Sequence, residues 1–243
     1  MSDKPILFSG PMMNALRAGR KTQTRRVLNP QPEPWRDFYQ EGGCQTTDWR
    51  FETGMRTGDG VHHRYGLWMH CQFHESRWQR LPYAPGDRLW VREAWRTECN
   101  FDHLPPRDLM PDGQQWRYEA DGTWSDHDDM TAAPGRLRPG MFMPRWASRA
   151  FVTVTDTRVK RLQEISEEDA TAEGLRQIWN PGHDDHRVWT YDRAKDFIGC
   201  WDARGAYKHL WSTINGAGSW DTNPWVAAYS LTVTLRNIDE DAL

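Results

Sequence analysis

Alternating apolar and polar positions predict the strands of this chain. Residues 88–95 follow a Pro-Gly-Asp turn and alternate so that Glu93 shares a face with three apolar side chains. Residues 151–159 alternate valines with threonines, and residues 226–235 form one apolar face at every second position. A shorter apolar run at residues 6–8 predicts one more strand.

Three short helices are predicted beside these strands. The first follows the N-terminal strand and ends at Gly19, and the third covers residues 206–214. Ser166 is suited to cap the second helix, whose first turn is acidic, and Gly174 can end it. Glu173 then lies near the helix C-terminus, where the helix dipole disfavours an anion.

The pattern of elements predicts an α+β fold built around a small β-barrel. Short strands, few helices and long loops are typical of that class. The length of 243 residues suits a single domain with insertions or two small domains. We expect one domain over residues 1–243, with polar, Pro- and Gly-rich insertions at about residues 30–80, 100–142 and 180–204. The first insertion is expected to be irregular.

Charge and tryptophan content restrict the function only partly. The net charge is −3, so a nucleic-acid site would have to be a local basic patch. Two runs are candidates: Arg17, Arg20, Lys21, Arg25 and Arg26; and Arg145, Arg149, Arg158, Lys160 and Arg161. The fifteen tryptophans could pack in cores or stack on bases.

Cysteine usage and the absence of long apolar runs indicate a reduced, cytoplasmic protein that makes no membrane contact. The N-terminus is polar, and no apolar run reaches the length of a membrane-spanning helix. The four cysteines are far apart and form no CxxC pair: Cys44, Cys71, Cys99 and Cys200.

A cluster of histidines and cysteines in the first insertion raises the possibility of a metal site. It contains Cys44, His62, His63, His70, Cys71 and His74. His70 and His74 have a spacing that could share a metal on a helix, or the loop could simply be rich in histidine. Because no paired CxxC knuckles accompany them, we predict no metal and no cofactor. No glycine-rich phosphate loop is present, which argues against a nucleotide-driven enzyme.

The basic stretch at residues 19–26 contains the candidate chemistry. Lys21 lies close to Thr24, and a desolvated lysine amine can lose its proton and activate a hydroxyl. The alternative is a solvated basic loop that touches phosphate. Regular strand geometry would place Lys21 and Thr24 on opposite faces, so joint action requires a turn or bulge after Gly19.

Glu93 is a second candidate because it lies on an apolar face. An unpaired carboxylate would be costly there. Either a buried partner neutralises Glu93 or this face lines a cavity.

Taken together, several segments resemble the ASCH-domain family. They are Gly-Arg-Lys-Thr-Gln-Thr-Arg-Arg at 19–26, Pro-Gly-Asp-Arg-Leu-Trp-Val-Arg-Glu at 85–93, the helix at 166–174 and Asn-Pro-Trp at 223–225. The longer family members from phage and prophage genomes also carry a segment like Met-Pro-Arg-Trp-Ala-Ser-Arg at 143–149. The likeness covers about residues 4–30, 81–98, 141–178 and 205–238.

The resemblance implies a PUA-like fold, a small mixed β-barrel flanked by helices, with a cleft suited to a nucleobase or RNA. It also implies hydrolysis of an N4-acylated cytosine, as in the small N4-acetylcytidine amidohydrolases. Their Arg-Lys-Thr-x-Thr-x-Arg motif is matched from Arg20 to Arg26. By this resemblance Thr24 is the nucleophile, Lys21 activates it, and Glu173 shuttles the proton. The implied substrate-binding residues are Arg20, Arg26, Glu93, Arg145, Trp146 and Arg149.

Other functions remain open at this point. Glu93 competes with Glu173 for the role of catalytic carboxylate. PUA-like domains also read RNA or modified nucleobases, in which case Arg145, Trp146 and Arg149 would matter more than Thr24. A ribonuclease is a third possibility. The expected partner is a modified nucleoside, RNA or another single-stranded nucleic acid, and the sequence indicates no oligomeric state.

Overall fold

In a computed structural model, twelve strands and three α-helices are defined among the described residues. Those residues are 3–32, 49–56, 64–71, 74–112, 114–125, 133–179, 187–191 and 199–240. The strands are β1 (Lys4–Leu7), β2 (Gln23–Val27), β3 (Trp49–Arg56), β4 (Arg64–Cys71), β5 (His74–Arg80), β6 (Arg88–Arg92), β7 (Trp95–Thr97), β8 (Trp116–Tyr118), β9 (Phe151–Arg161), β10 (Arg176–Trp179), β11 (Arg187–Thr190) and β12 (Trp225–Thr234). The helices are α1 (Gly10–Arg17), α2 (Glu167–Ala172) and α3 (Ala203–Asn215).

A five-stranded sheet forms the centre of the fold, in the order β1-β6-β9-β12-β2. β1 runs parallel to β6, and the other neighbours are antiparallel. The predicted strands at 151–159 and 226–235 and the three predicted helices are confirmed, as is the α+β class. In the part of the chain described, β1 and β2 are opposite edges, and the sheet is not closed into a barrel.

β12 is buried on both faces, which explains its central position. Ala227 and Tyr229 pack into the main core, while Val226 joins a second core against α3. The sequence pattern predicts only the first of these faces. Leu235, which the pattern assigns to the apolar face, follows the strand and is exposed.

The first insertion contains regular structure. β3, β4 and β5 form an antiparallel sheet, and Leu67 and Met69 of β4 are buried in the main core. The expectation of irregular chain is therefore wrong for residues 49–56, 64–71 and 74–80.

The second insertion packs around its own small core. β6 ends at Arg92, earlier than predicted, and Trp95 begins the separate strand β7, which pairs with β8. This core contains Trp95, Leu109, Tyr118, Met143 and Ala147. In the third insertion, β11 pairs antiparallel with β10, which precedes the insertion, and β11 contacts α3.

The histidine and cysteine cluster of the first insertion lies outside the described side chains. Among the side chains that are described, no group of three or more His, Cys, Asp or Glu could hold a metal ion. Cys99 and Cys200 are free thiols. None of the described helices combines the length and the apolar character needed to cross a membrane.

Candidate active site

The chain turns sharply between α1 and β2, and this turn positions Lys21. Gly19 has a positive φ of 69°, a conformation that glycine adopts without the clash of a Cβ. The backbone N–H groups of Arg20 and Lys21 both donate to the carbonyl of Ala15. Regular pairing with β12 begins only at Gln23. After this turn, the side chains of Lys21, Gln23 and Arg25 reach α2 and its C-terminus, where they bond Glu173 or Asp169.

Glu173 is placed by the end of α2. Ser166 caps this helix as predicted, since its Oγ accepts from the Asp169 N–H at 3.1 Å. Gly174 follows with a φ of 105°. A Cβ at Gly174 would lie 2.8 Å from the Ala15 Cβ and 3.2 Å from the Lys21 Cβ. Glycine thus lets the end of α2 approach Lys21 closely.

Lys21 and Glu173 form a buried ion pair. Lys21 Nζ lies 2.8 Å from Glu173 Oε2 and 3.0 Å from the Glu173 carbonyl oxygen. It also lies 5.5 Å from the centre of the Phe8 ring. Burial lowers the pKa of the Lys21 ammonium, and the charge of Glu173 opposes this only in part. The environment therefore favours the neutral amine more than water does.

Arg25 extends this pair into a larger charge cluster. Its Nη1 donates to Glu173 Oε1 at 2.9 Å, and its Nη2 donates to Asp169 Oδ2 at 2.7 Å. Arg158 reaches the same Asp169 at 3.3 Å. Lys21, Arg25, Arg158, Asp169 and Glu173 make up this charge cluster, with a net charge of +1 when Lys21 is protonated. Loss of that proton makes the cluster neutral.

The sequence placed Arg25 only in a basic run and gave no site role to Asp169 or Tyr207. Burial alone would raise the pKa of Asp169, but the hydrogen bond from Gln23 and the charges of Arg25 and Arg158 hold it below its usual range. Tyr207 of α3 is buried, and its hydroxyl pKa is raised well above 10 by burial and by the charge of Glu173. Tyr207 is therefore a neutral hydroxyl at any physiological pH.

A cavity of about 190 Å³ opens beside the charge cluster. Thr24, Arg25, Arg26 and Val27 of β2 line one side of it, together with Glu173. The opposite side is mostly apolar and comes from α1 and α3: Met12, Tyr207, Leu210, Trp211, Ile214 and Asn215. Drug-sized ligands occupy about 300–1,000 Å³, so this cavity suits a single small ring.

One polar group at this cavity lacks a partner among the described residues. The Trp211 Nε1–H is buried and has no hydrogen-bond partner there. The Thr24 side chain is buried and lines the same cavity. An unpaired buried donor is costly, and a bound ligand or water that accepts from it removes that cost.

Arg20 and Arg26, two of the predicted binding residues, lie next to the charge cluster. Arg20 Nη1 donates to the Gly174 carbonyl at 3.2 Å. Arg26 Nη2 donates to the Leu7 carbonyl at 2.7 Å, and its guanidinium lies 5.5 Å from the centre of the Phe8 ring. Arg26 also lines the cavity.

Glu93 is buried and paired with the half-buried Arg149, so a partner neutralises it, as one of the two alternatives from the sequence required. Arg149 holds it with two hydrogen bonds of 2.8 and 2.9 Å. Burial raises the pKa of Glu93, and Arg149 opposes that shift. Arg149 also bonds Asp121 and stacks 3.9 Å from the centre of the Tyr118 ring. This network fastens the second insertion to the sheet.

Arg145 and Trp146 belong to further contacts around the second insertion. Arg145 forms ion pairs with Asp3 and Asp239, each at 2.6 Å. Trp146 packs edge-to-face against Trp95 and Trp116. The structure thus places Lys21, Glu173, Arg20 and Arg26 in or beside the charge cluster and Thr24 in the lining of the adjoining cavity. The other four predicted residues, Glu93, Arg145, Trp146 and Arg149, lie in these separate networks.

No protein-family model, curated protein or solved structure matches this chain. A buried amine with a lowered pKa, a carboxylate in contact with it and a hydroxyl in the adjoining small cavity are the components of a nucleophilic site.

Proposed function

We propose that this protein hydrolyses the amide bond of an N4-acylated cytosine, with Thr24 as the nucleophile. The observation that carries the proposal is the buried Lys21–Glu173 pair at a cavity that Thr24 lines and whose size suits one base. The resemblance to the N4-acetylcytidine amidohydrolases supplies the substrate class.

In the first step, the neutral Lys21 amine removes the proton of the Thr24 hydroxyl. Oγ1 of Thr24 then forms a bond to the acyl carbon, and the carbonyl π electrons move onto its oxygen. Arg25 and Arg26 line the cavity and offer positive charge to this oxyanion. The proton that Lys21 gains restores the net charge of +1 in the charge cluster.

In the second step, the bond between the acyl carbon and N4 breaks, and N4 takes up a proton. The proton comes from Lys21 by way of Glu173, whose Oε2 contacts the lysine amine. The products of this step are the free cytosine amine and an acyl ester on Thr24. Water, deprotonated by the same pair, then attacks the ester, releases the carboxylic acid and restores the Thr24 hydroxyl.

We also propose that the central sheet is the wall of a PUA-like barrel. Arg26 of β2 donates to the carbonyl of Leu7 in β1, so the two edge strands are linked by a side chain. Such a link supports a curved sheet whose edges approach each other. In this arrangement the cavity lies between the edge strand β2 and α3.

The direct test is incubation of the purified protein with N4-acetylcytidine and chromatography for cytidine and acetate. Thr24→Val keeps the shape of the side chain and removes its hydroxyl, and Lys21→Met removes the amine. Each is expected to lower turnover by about 10²–10⁴-fold, the usual contribution of a positioned acid, base or nucleophile. Thr22→Val is the matched control, because Thr22 is exposed and belongs to the same motif.

Two outcomes would contradict the proposal. Full turnover by Thr24→Val would remove Thr24 as the nucleophile. No cytidine from folded wild-type protein, together with salt-dependent binding of a single-stranded oligonucleotide, would favour a nucleic-acid reader instead.

A further inference from the structure

One edge of β2 carries no neighbouring strand in the part of the chain described. Two hydrogen bonds mark the ends of its ladder with β12: Leu28 N to Trp225 O at 3.0 Å, and Leu231 N to Thr22 O at 2.8 Å. The register between them is unbroken. In an antiparallel pair, alternate residues direct their peptide groups at the partner strand. Arg25 and Val27 therefore direct their N–H and C=O groups away from β12.

The cavity lies along this free edge. Arg25 and Val27 both line it. Only at the start of this edge does the end of α2 lie where a neighbouring strand would. There the Thr22 N–H donates to the Ala172 carbonyl at 2.8 Å, and the backbones of Lys21 and Glu173 form an isolated β-bridge. Beyond that point Arg25 and Val27, whose peptide groups point away from β12, line the cavity.

The walls of the cavity exclude another strand as the occupant of this edge. Side chains of α3, among them Leu210 and Trp211, stand opposite β2. The remaining space of about 190 Å³ is smaller than the roughly 300–1,000 Å³ of typical ligand pockets and suits one small flat ring. In an extended residue the N–H and C=O point the same way, and this adjacent donor and acceptor match the acceptor and donor on the edge of a base.

We propose that the free edge of β2 at Arg25 and Val27 binds the Watson–Crick edge of the substrate base. The Val27 N–H donates to ring nitrogen N3, and a peptide C=O of the same edge accepts from the N4–H of the acylated amine. This inference rests on the proposed function and adds how the base is selected. It also explains the position of the acyl group, because Thr24 precedes Arg25 in the chain and lines the same cavity.

The first test compares two ligands on one protein. Thr24→Val binds without turning over, so calorimetry can measure its affinity for N4-acetylcytidine and for the 3-deaza analogue, in which C–H replaces N3. We expect the analogue to bind at least about tenfold more weakly, because a buried N–H loses its acceptor. Equal affinities would overturn the edge proposal while leaving the hydrolase proposal intact. Binding of neither ligand, with no turnover by the wild type, would overturn both.

The second test changes the edge itself. Val27→Pro removes the N–H and places the ring carbon in the cavity, and an edge strand tolerates proline where its N–H is not bonded to the sheet. Val27→Ala is the matched control that keeps the N–H. We expect Val27→Pro, but not Val27→Ala, to weaken binding of N4-acetylcytidine at least about tenfold at unchanged melting temperature. Equal binding by the two variants would overturn the proposal.

Discussion

Lys21 Nζ lies 2.8 Å from Glu173 Oε2, and the exposed fractions of the two side chains are 0 and 3%. An ion pair shielded this completely adds little to stability, because both charges lose their hydration. The pair is suited to catalysis, since it keeps Lys21, whose pKa is lowered, in contact with the Glu173 carboxylate, which can carry the lysine proton.

Substitution of each buried glutamate by glutamine should distinguish a loss of turnover from a loss of stability. Both Glu173 and Glu93 are paired with arginine, so Glu173→Gln and Glu93→Gln should each lower the free energy of unfolding by about 3–5 kcal/mol. Only Glu173→Gln should abolish turnover of N4-acetylcytidine per folded molecule. Urea unfolding and chromatography measure the two effects, and the reverse pattern would transfer the carboxylate role to Glu93.

The pH dependence of turnover should follow the proton on Lys21. The base is active when neutral, and its pKa lies below the ordinary 10.5 because the side chain is buried. The rate constant kcat/KM should therefore rise with pH and level off below pH 10.5. Initial rates over a series of buffers measure this, and a rate that falls with rising pH would contradict a lysine base.

Stability should respond to the same proton. The pKa of Lys21 is lower in the folded than in the unfolded protein, so the unfolded state binds more protons between that lowered value and 10.5. The free energy of unfolding of the wild-type protein should therefore increase with pH in this window. Below the window Lys21 is charged in both states, and its burial lowers the stability by the full amount. Denaturant unfolding at several pH values gives the free energy of unfolding of the wild type and of Lys21→Met as a function of pH. The wild-type value should rise relative to that of Lys21→Met in this window, and parallel curves would contradict the prediction.

The close approach of α2 to Lys21 can be tested with a pair of alanine substitutions. Gly174 and Gly216 both have positive φ, of 105° and 96°, so Gly174→Ala and Gly216→Ala both introduce backbone strain of order 1–3 kcal/mol. Only the Cβ at Gly174 meets neighbours, at 2.8 Å from Ala15. Gly174→Ala should cost a further ~1–3 kcal/mol in unfolding free energy and should reduce turnover. Equal costs would show that the contact has no effect.

The unpaired indole of Trp211 predicts a contact with the substrate. Trp211→Phe keeps an aromatic ring in the wall of the cavity and removes the Nε1–H, which has no partner among the described residues. Stability should change little, while KM for N4-acetylcytidine should rise roughly tenfold through loss of one hydrogen bond. Trp220→Phe, a buried change near α3, is the control. An unchanged KM for Trp211→Phe would show that the Nε1–H does not contact the substrate.

The sequence by itself determined the features that depend on near neighbours in the chain. Ser166 and Gly174 fix the two ends of α2, and alternation fixes β9 and β12, because caps and pleats involve residues only a few positions apart. The run from Arg20 to Arg26 was likewise visible as a candidate site, and Lys21 and Thr24 within it were singled out as its chemistry.

Tertiary structure alone decided which side chains meet. Arg25 reaches Glu173 across 148 positions, and Arg149 reaches Glu93 across 56, and no local pattern specifies either pair. The strands at 49–80 were missed because glycines and polar residues mask their alternation, while burial of Leu67 depends on the sheet it meets. The free edge of β2 and its cavity exist because α2 and α3 pack there, which is a property of the fold and not of residues 23–27.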